Sequence, residues 1–123
     1  MSTVARQTIL FVDDEKLWRD QVSASLAEAG FDVLAASDGS EAMQKAADSS
    51  LGMMIVDDDL AGENGIVLTK FLRRNHPGVP TMLYTSNGHS AHKTLDMEQQ
   101  SADRCLPKGS MADLLANVAY YVR

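Results

Sequence analysis

The sequence predicts an α/β fold: a parallel sheet covered by helices on both faces. Three observations point to it. Short, β-prone apolar runs alternate with segments of helical periodicity five times along the 123 residues. Runs such as TILFV and MMIV lack polar alternation, as strands buried on both faces do. Each strand-to-strand step passes through a helical segment, and right-handed crossovers of that kind distribute helices to both sides of the sheet. The length suits one domain, residues 1–123.

Thr8–Val12 (TILFV) reads as the first strand and stops at Asp13–Asp14. Trp18, Val22, Leu26 and Ala29 recur at helical spacing, and Gly30 closes that helix. Asp32–Ala36 (DVLAA) is the second strand, and Ala42, Met43, Ala46 and Ala47 mark one face of the second helix. Leu51–Val56 is the third strand; Gly62 and Gly65 flank the loop after it. Val67, Leu68, Phe71 and Leu72 form the apolar stripe of a third helix ending near Asn75–His76–Pro77. Thr81–Thr85 (TMLYT) is the fourth strand, and Leu106 marks a short fifth before Pro107. Gly88–Arg104 is expected to hold a poorly buried fourth helix, because only Ala91, Leu95, Met97 and Ala102 are apolar there. Met111, Leu114, Leu115, Val118, Ala119 and Val122 make the last helix. Met43, Met53, Met54, Met82 and Met111 read as core packing.

Composition excludes several function classes. The net charge of −6 and a pI near 4.8 disfavour direct nucleic-acid binding, since an acidic chain repels a phosphate backbone. No apolar run approaches the ~20 residues of a membrane span. The MSTVARQT start lacks the apolar stretch of a signal peptide. Cys105 is the only cysteine, so an intrachain disulfide is impossible, and a reducing compartment, the cytoplasm, is expected. His89 and His92 lie three apart, but no Cys or third His is near, and they read as solvated side chains.

In open α/β sheets ligands bind beyond the carboxyl ends of the strands. Here strand one ends in Asp13–Asp14–Glu15, strand three in Asp57–Asp58–Asp59, strand four in Thr85–Ser86 and strand five in Pro107–Lys108. A single acidic pair at a strand end is ordinarily solvated surface. Two such clusters, with a Thr and a Lys ending other strands, make a different pattern. Converging carboxylates need a cation, and an all-oxygen site suits Mg²⁺. With the Lys108 ammonium and the Thr85 hydroxyl added, the set describes a phosphoryl site with an aspartate nucleophile. Strand alternation does not decide which of Asp57, Asp58 and Asp59 that is.

Four stretches in order, ILFVDDE (9–15), MMIVDDDLAGENG (53–65), VPTMLYTS (79–86) and Lys108, resemble the receiver domain of bacterial two-component response regulators. The resemblance covers essentially the whole chain. It implies a flavodoxin-like, doubly wound (βα)5 fold with a five-stranded parallel sheet in the order 2-1-3-4-5. In that family a glycine follows the phospho-acceptor by eight residues, so Gly65 points back to Asp57. The resemblance further implies that Asp14 and Asp57 ligate Mg²⁺ directly, Asp13 acts through water, and Asp59 offers its backbone carbonyl. The Asp58 and Asp59 side chains are then expected to turn toward water. Thr85 would bond the phosphoryl group. Lys108 would pair with a phosphoryl oxygen, or with Asp57 when there is none. Asp59 and Asn87 would flank the path of hydrolytic water. The implied partners are a sensor histidine kinase or phosphotransfer protein as donor and an output domain or target protein as reader.

The sequence departs from the family pattern at Leu60–Ala61, at Ser86, at Cys105, where an aromatic is usual, and at Gly109, where a proline is usual. Without that proline the Lys108–Gly109 peptide is expected to be trans, since a non-proline cis bond costs ~2.5–4 kcal/mol. Two rival readings remain at this point. One is a Mg²⁺-dependent phosphohydrolase of the haloacid-dehalogenase type, whose nucleophile motif Asp57-x-Asp59 mimics; its second acidic pair, however, would come late in the chain. The other is a receiver that signals by docking alone, independent of phosphorylation.

Overall fold

The computed structural model describes residues 7–47, 49–60, 62–85 and 102–122. Its elements in chain order are β1 (Thr8–Val12), α1 (Lys16–Glu28), β2 (Asp32–Ala36), α2 (Gly39–Ala46), β3 (Met53–Asp57), β4 (Asp59–Leu60), β5 (Glu63–Asn64), α3 (Gly65–Asn75), β6 (Thr81–Thr85), β7 (Arg104–Pro107) and α4 (Met111–Tyr121). The five long strands form one parallel sheet ordered β2-β1-β3-β6-β7, which is the expected 2-1-3-4-5 order.

One element was not expected. The loop after β3 contains a two-residue antiparallel hairpin, β4 with β5, turning at Gly62 with φ +71°. That backbone conformation suits glycine, which lacks a Cβ to clash. The segment expected as a fourth helix lies mostly outside the described residues. Its described end corrects the expectation: Ala102 is buried outside any helix, and Arg104 already belongs to β7.

Alternate strand residues face opposite layers, although no polar residue marks the alternation. Ile9, Phe11, Met53, Ile55, Met82 and Tyr84 meet Val22 and Leu26 of α1 and Leu114 and Val118 of α4. Leu10, Val12, Met54 and Val56 meet Ala42 and Ala46 of α2 and Leu68 and Leu72 of α3. Full burial of each large apolar side chain contributes about 1.5–3 kcal/mol, so β1 and β3 anchor both layers. Local caps set the helix starts: the Asp38 side chain accepts from Glu41 N–H, Asn64 from Ile66 and Val67 N–H, and Ser110 from Asp113 N–H.

Helical periodicity overstated the core at several positions. Ala29 and Ala47 are exposed C-caps, and Met43 is 40% exposed rather than packed. Val67 and Phe71 are each 51% exposed. They sit one position before Leu68 and Leu72, about 100° around the helix from the residues that face the sheet. Among the described residues no helix is long and apolar enough to cross a membrane.

Candidate functional site

The site forms where β1, β3, β6 and β7 end together. Strands β1 and β3 are neighbours with Val12 opposite Val56, so the next residues, Asp13 and Asp57, emerge side by side. Both are buried, and both are held by the same local device. Glu15 N–H donates to Asp13 Oδ1 at 2.9 Å, and Asp59 N–H donates to Asp57 Oδ1 at 3.0 Å. Each carboxylate closes a turn two residues onward with one oxygen and keeps the other for the site.

Lys108 takes those second oxygens. Its Nζ donates to Asp13 Oδ2 at 2.8 Å and to Asp57 Oδ2 at 3.1 Å. The expected Asp57 pairing is therefore present, but the shorter bond is to Asp13. The lysine is placed by its own backbone, since Lys108 N–H donates to the Thr85 carbonyl at 2.6 Å. Thr85 is buried at the end of β6, one residue past Tyr84, the register partner of Asp57. The Lys108–Gly109 peptide is trans, as expected.

Asp14 completes the acidic group: Asp13, Asp14 and Asp57 each offer an oxygen, all within 4.8 Å of one another. Three carboxylates against one ammonium leave an excess of negative charge, which a divalent cation with a preference for oxygen would offset. Asp59 is exposed, but Asp58 is half-buried, so only one of the two expected outward side chains turns fully to solvent.

The electrostatics follow from burial and neighbours. Burial raises the Asp57 carboxyl to about 7, partly opposed by the Asp59 N–H and the Lys108 charge and assisted by the Asp13 charge. Burial alone would pull the Lys108 ammonium down, but hydrogen bonding and charge from Asp13 and Asp57 outweigh it and hold the lysine above its ordinary value.

Gly65 packs against the end of β3. A Cβ there would meet the Asp57 carbonyl oxygen and lie 2.7 Å from Asp58 Cα, while Gly65 N–H donates to the Asp58 carbonyl at 3.2 Å. A glycine eight residues after Asp57 thus has a physical reason in this chain: only a residue without a side chain allows α3 to start so close to β3.

Sequence reasoning missed three contributors. Arg19 Nη1 donates to the Asp13 carbonyl at 2.8 Å. Trp18 and Tyr84, read only as apolar pattern, both lie beside the Lys108 ammonium. The available signal was positional: Tyr84 immediately precedes Thr85, and Trp18 lies in the first turn of the helix that follows the first acidic cluster. Ser86, Asn87, His89 and His92 lie outside the described residues. Cys105 is buried against Leu83 and Ala102, as a small core residue.

The family model of the response regulator receiver domain matches residues 9–119. This chain belongs to that family. Receiver domains are signalling domains of two-component systems, and the match sets the phosphohydrolase reading aside. Among curated proteins, the chain is 30% identical over 115 residues to the transcriptional regulatory protein CusR of Escherichia coli K12, covering 94% of this chain and 51% of that protein. It is also 30% identical to the alkaline phosphatase synthesis transcriptional regulatory protein PhoP of Bacillus subtilis, covering 94% of this chain and 48% of that one. The receiver thus spans about half the length of these relatives. Among solved structures, the chemotaxis protein CheY4 of Vibrio cholerae matches with a TM-score of 0.86 at 27% identity, covering 95% of this chain and 99% of that one. The receiver domain of the Francisella response regulator 1452 shares the fold at TM-score 0.86 and 23% identity, covering 95% and 97% of the two chains.

Proposed function

We propose that this receiver accepts a phosphoryl group on Asp57 from the phosphohistidine of a sensor kinase or phosphotransfer protein. The observation that carries this reading is the setting of Asp57. It is a buried strand-end carboxylate with one oxygen fixed by the Asp59 N–H and the other on Lys108 at 3.1 Å, beside Asp13 and Asp14. An Asp57 oxygen attacks phosphorus, the phosphorus–nitrogen bond of the donor breaks, and the imidazole leaves with its electron pair and takes up a proton.

Mg²⁺ fits the donor set, which is all oxygen and carries excess negative charge. Asp14 and Asp57 would hold it directly, Asp13 through water and Asp59 through its backbone carbonyl. When bound, Mg²⁺ neutralises charge on the phosphoryl oxygens and helps to orient the attacking carboxylate. The chain's own groups do the rest. Lys108 moves its charge onto a phosphoryl oxygen, and the Thr85 hydroxyl donates to another. Asp59 flanks the approach of water and tunes the lifetime of the acyl phosphate. The added charge of roughly −1.5 to −2 then biases a surface that an output domain or target protein reads. A cytoplasmic setting accords with the presence of a single cysteine.

The test is labelling by acetyl phosphate with Mg²⁺, read by intact mass. Wild type should gain one phosphoryl group, Asp57→Asn none, and Asp58→Asn one. Asp14→Asn should fail and show weakened Mg²⁺ binding. Label persisting in Asp57→Asn but absent from Asp58→Asn or Asp59→Asn would refute the assignment.

A further inference from the structure

The Lys108 ammonium is flanked by two aromatic rings as well as two carboxylates. Its Nζ lies 5.3 Å from the centroid of the Trp18 ring and 5.9 Å from that of Tyr84. The two rings meet edge to face at 90° with centroids 5.9 Å apart, and Tyr84 is braced from behind by Phe11 at 6.3 Å. These groups reach the lysine from three elements: Trp18 from α1, Tyr84 from β6 and Asp57 from β3. A cation near ring faces is attracted by the ring quadrupole, most strongly where water is excluded. Here the Lys108 side chain is only 6% exposed. Tyr84 is fully buried, with the Gly109 backbone N–H set against its hydroxyl.

We propose that Trp18 and Tyr84 are positioning residues: together they form an aromatic seat that holds the Lys108 ammonium at the acceptor, and Trp18 registers its movement. The inference rests on the phosphoryl-acceptor reading of Asp57. In the free protein the ammonium is held by two oxygens and two rings. A phosphoryl group on Asp57 adds oxygens on one side of it. Lys108 shifts toward them, and its distance to the rings changes. The seat limits how far the flexible four-carbon stem can stray before and after that shift, so the charge is already in place when phosphoryl arrives. Because Trp18 lies on α1, the shift reaches an outer helix through a single side chain.

The full chain provides its own probe, since Trp18 is the only tryptophan. Beryllofluoride with Mg²⁺ serves as the phosphoryl mimic, and fluorine NMR measures its binding independently of the indole. Trp18 emission should change as bound fluoride appears, and Lys108→Met should alter the emission of the metal-free protein. Labelling by acetyl phosphate should slow about tenfold in Trp18→Leu and in Tyr84→Leu, but stay within about twofold in Trp18→Phe and Tyr84→Phe, which keep a ring. Tyr84 is a core residue, so Trp18→Leu, at a half-buried position, is the deciding variant. Emission unchanged at saturating bound fluoride, or wild-type labelling in Trp18→Leu, overturns the seat. Equal slowing in the Leu and Phe variants overturns it too, because any change of side chain would then matter as much as loss of the ring. A wild-type chain that neither binds the mimic nor labels on Asp57 refutes the acceptor reading itself, and the seat falls with it.

Discussion

The two acidic clusters, Asp13–Asp14–Glu15 and Asp57–Asp58–Asp59, are built alike and placed differently. Each follows an apolar strand, each buries its first carboxylate, and each uses one oxygen of that carboxylate to close a turn onto the N–H two residues on. The differences come from what surrounds them. Asp13 has the shorter bond to Lys108 and an arginine strapped to its carbonyl. Asp57 has the longer lysine bond, and its backbone is pressed by Gly65. The same local turn therefore yields an anchored carboxylate at Asp13 and, at Asp57, the proposed acceptor, whose charge burial holds back. A motif fixes the conformation of a side chain; its neighbours decide whether that side chain anchors or reacts.

Exchanging the roles should produce the largest effect. Asp57→Asn should lower labelling by at least about 10²-fold by removing the nucleophilic oxygen, whereas Asp13→Asn should leave a slow but detectable reaction. Initial rates with acetyl phosphate measure both. Equal residual rates in the two variants would erase the distinction between anchor and acceptor.

Removing the shared cation comes next. Lys108→Met leaves two buried carboxylates without their partner and should destabilise the metal-free protein by about 3 kcal/mol at pH 8. Urea melts with and without Mg²⁺ would show it, with the metal recovering part of the loss. A variant as stable as wild type in chelator would mean that the two ion pairs contribute nothing net.

The pH dependence sharpens the comparison further. Folded Asp57 keeps its proton up to about 7, against an ordinary value of 3.8. Between those values the folded state binds more protons than the unfolded one. From this group, stability of the metal-free protein therefore falls as pH rises from 3.8 to about 7 and levels off above. Asp57→Asn removes the group, so the stability of wild type relative to Asp57→Asn should decline between pH 5 and pH 8, by about 2 kcal/mol. A constant difference across that range would contradict the raised value. The same proton competes with metal, and Mg²⁺ affinity should strengthen over the same interval.

The smallest effect should come from the strap. Arg19→Ala removes the hydrogen bond to the Asp13 carbonyl and should cost about 1 kcal/mol of stability. Labelling should change little, because the bond supports backbone rather than reacting atoms. A labelling defect as large as that of Asp13→Asn would show that Arg19 places the carboxylate itself.

By itself the sequence determined the strand ends and their chemistry. Apolar runs that stop at Asp13, Asp57, Thr85 and Lys108 are visible without coordinates, because burial on both faces demands uninterrupted apolar residues and their interruption marks the sheet's edge. The glycine spacing that selects Asp57 was legible only through family resemblance; its cause, the approach of Gly65 to the Asp57 carbonyl, is a fact of packing. Only the tertiary structure decided what depends on closing long loops. Lys108 reaches Asp13 across 95 residues and Asp57 across 51, and no local pattern ranks those two bonds. Periodicity likewise assigned Met43, Val67 and Phe71 to the core, because a helix repeat records which side is apolar and not whether another element covers it. Trp18 and Tyr84 show the converse. Their apolar character predicted burial, and only the meeting of α1 with β6 and the turn after β7 turned their rings toward a cation.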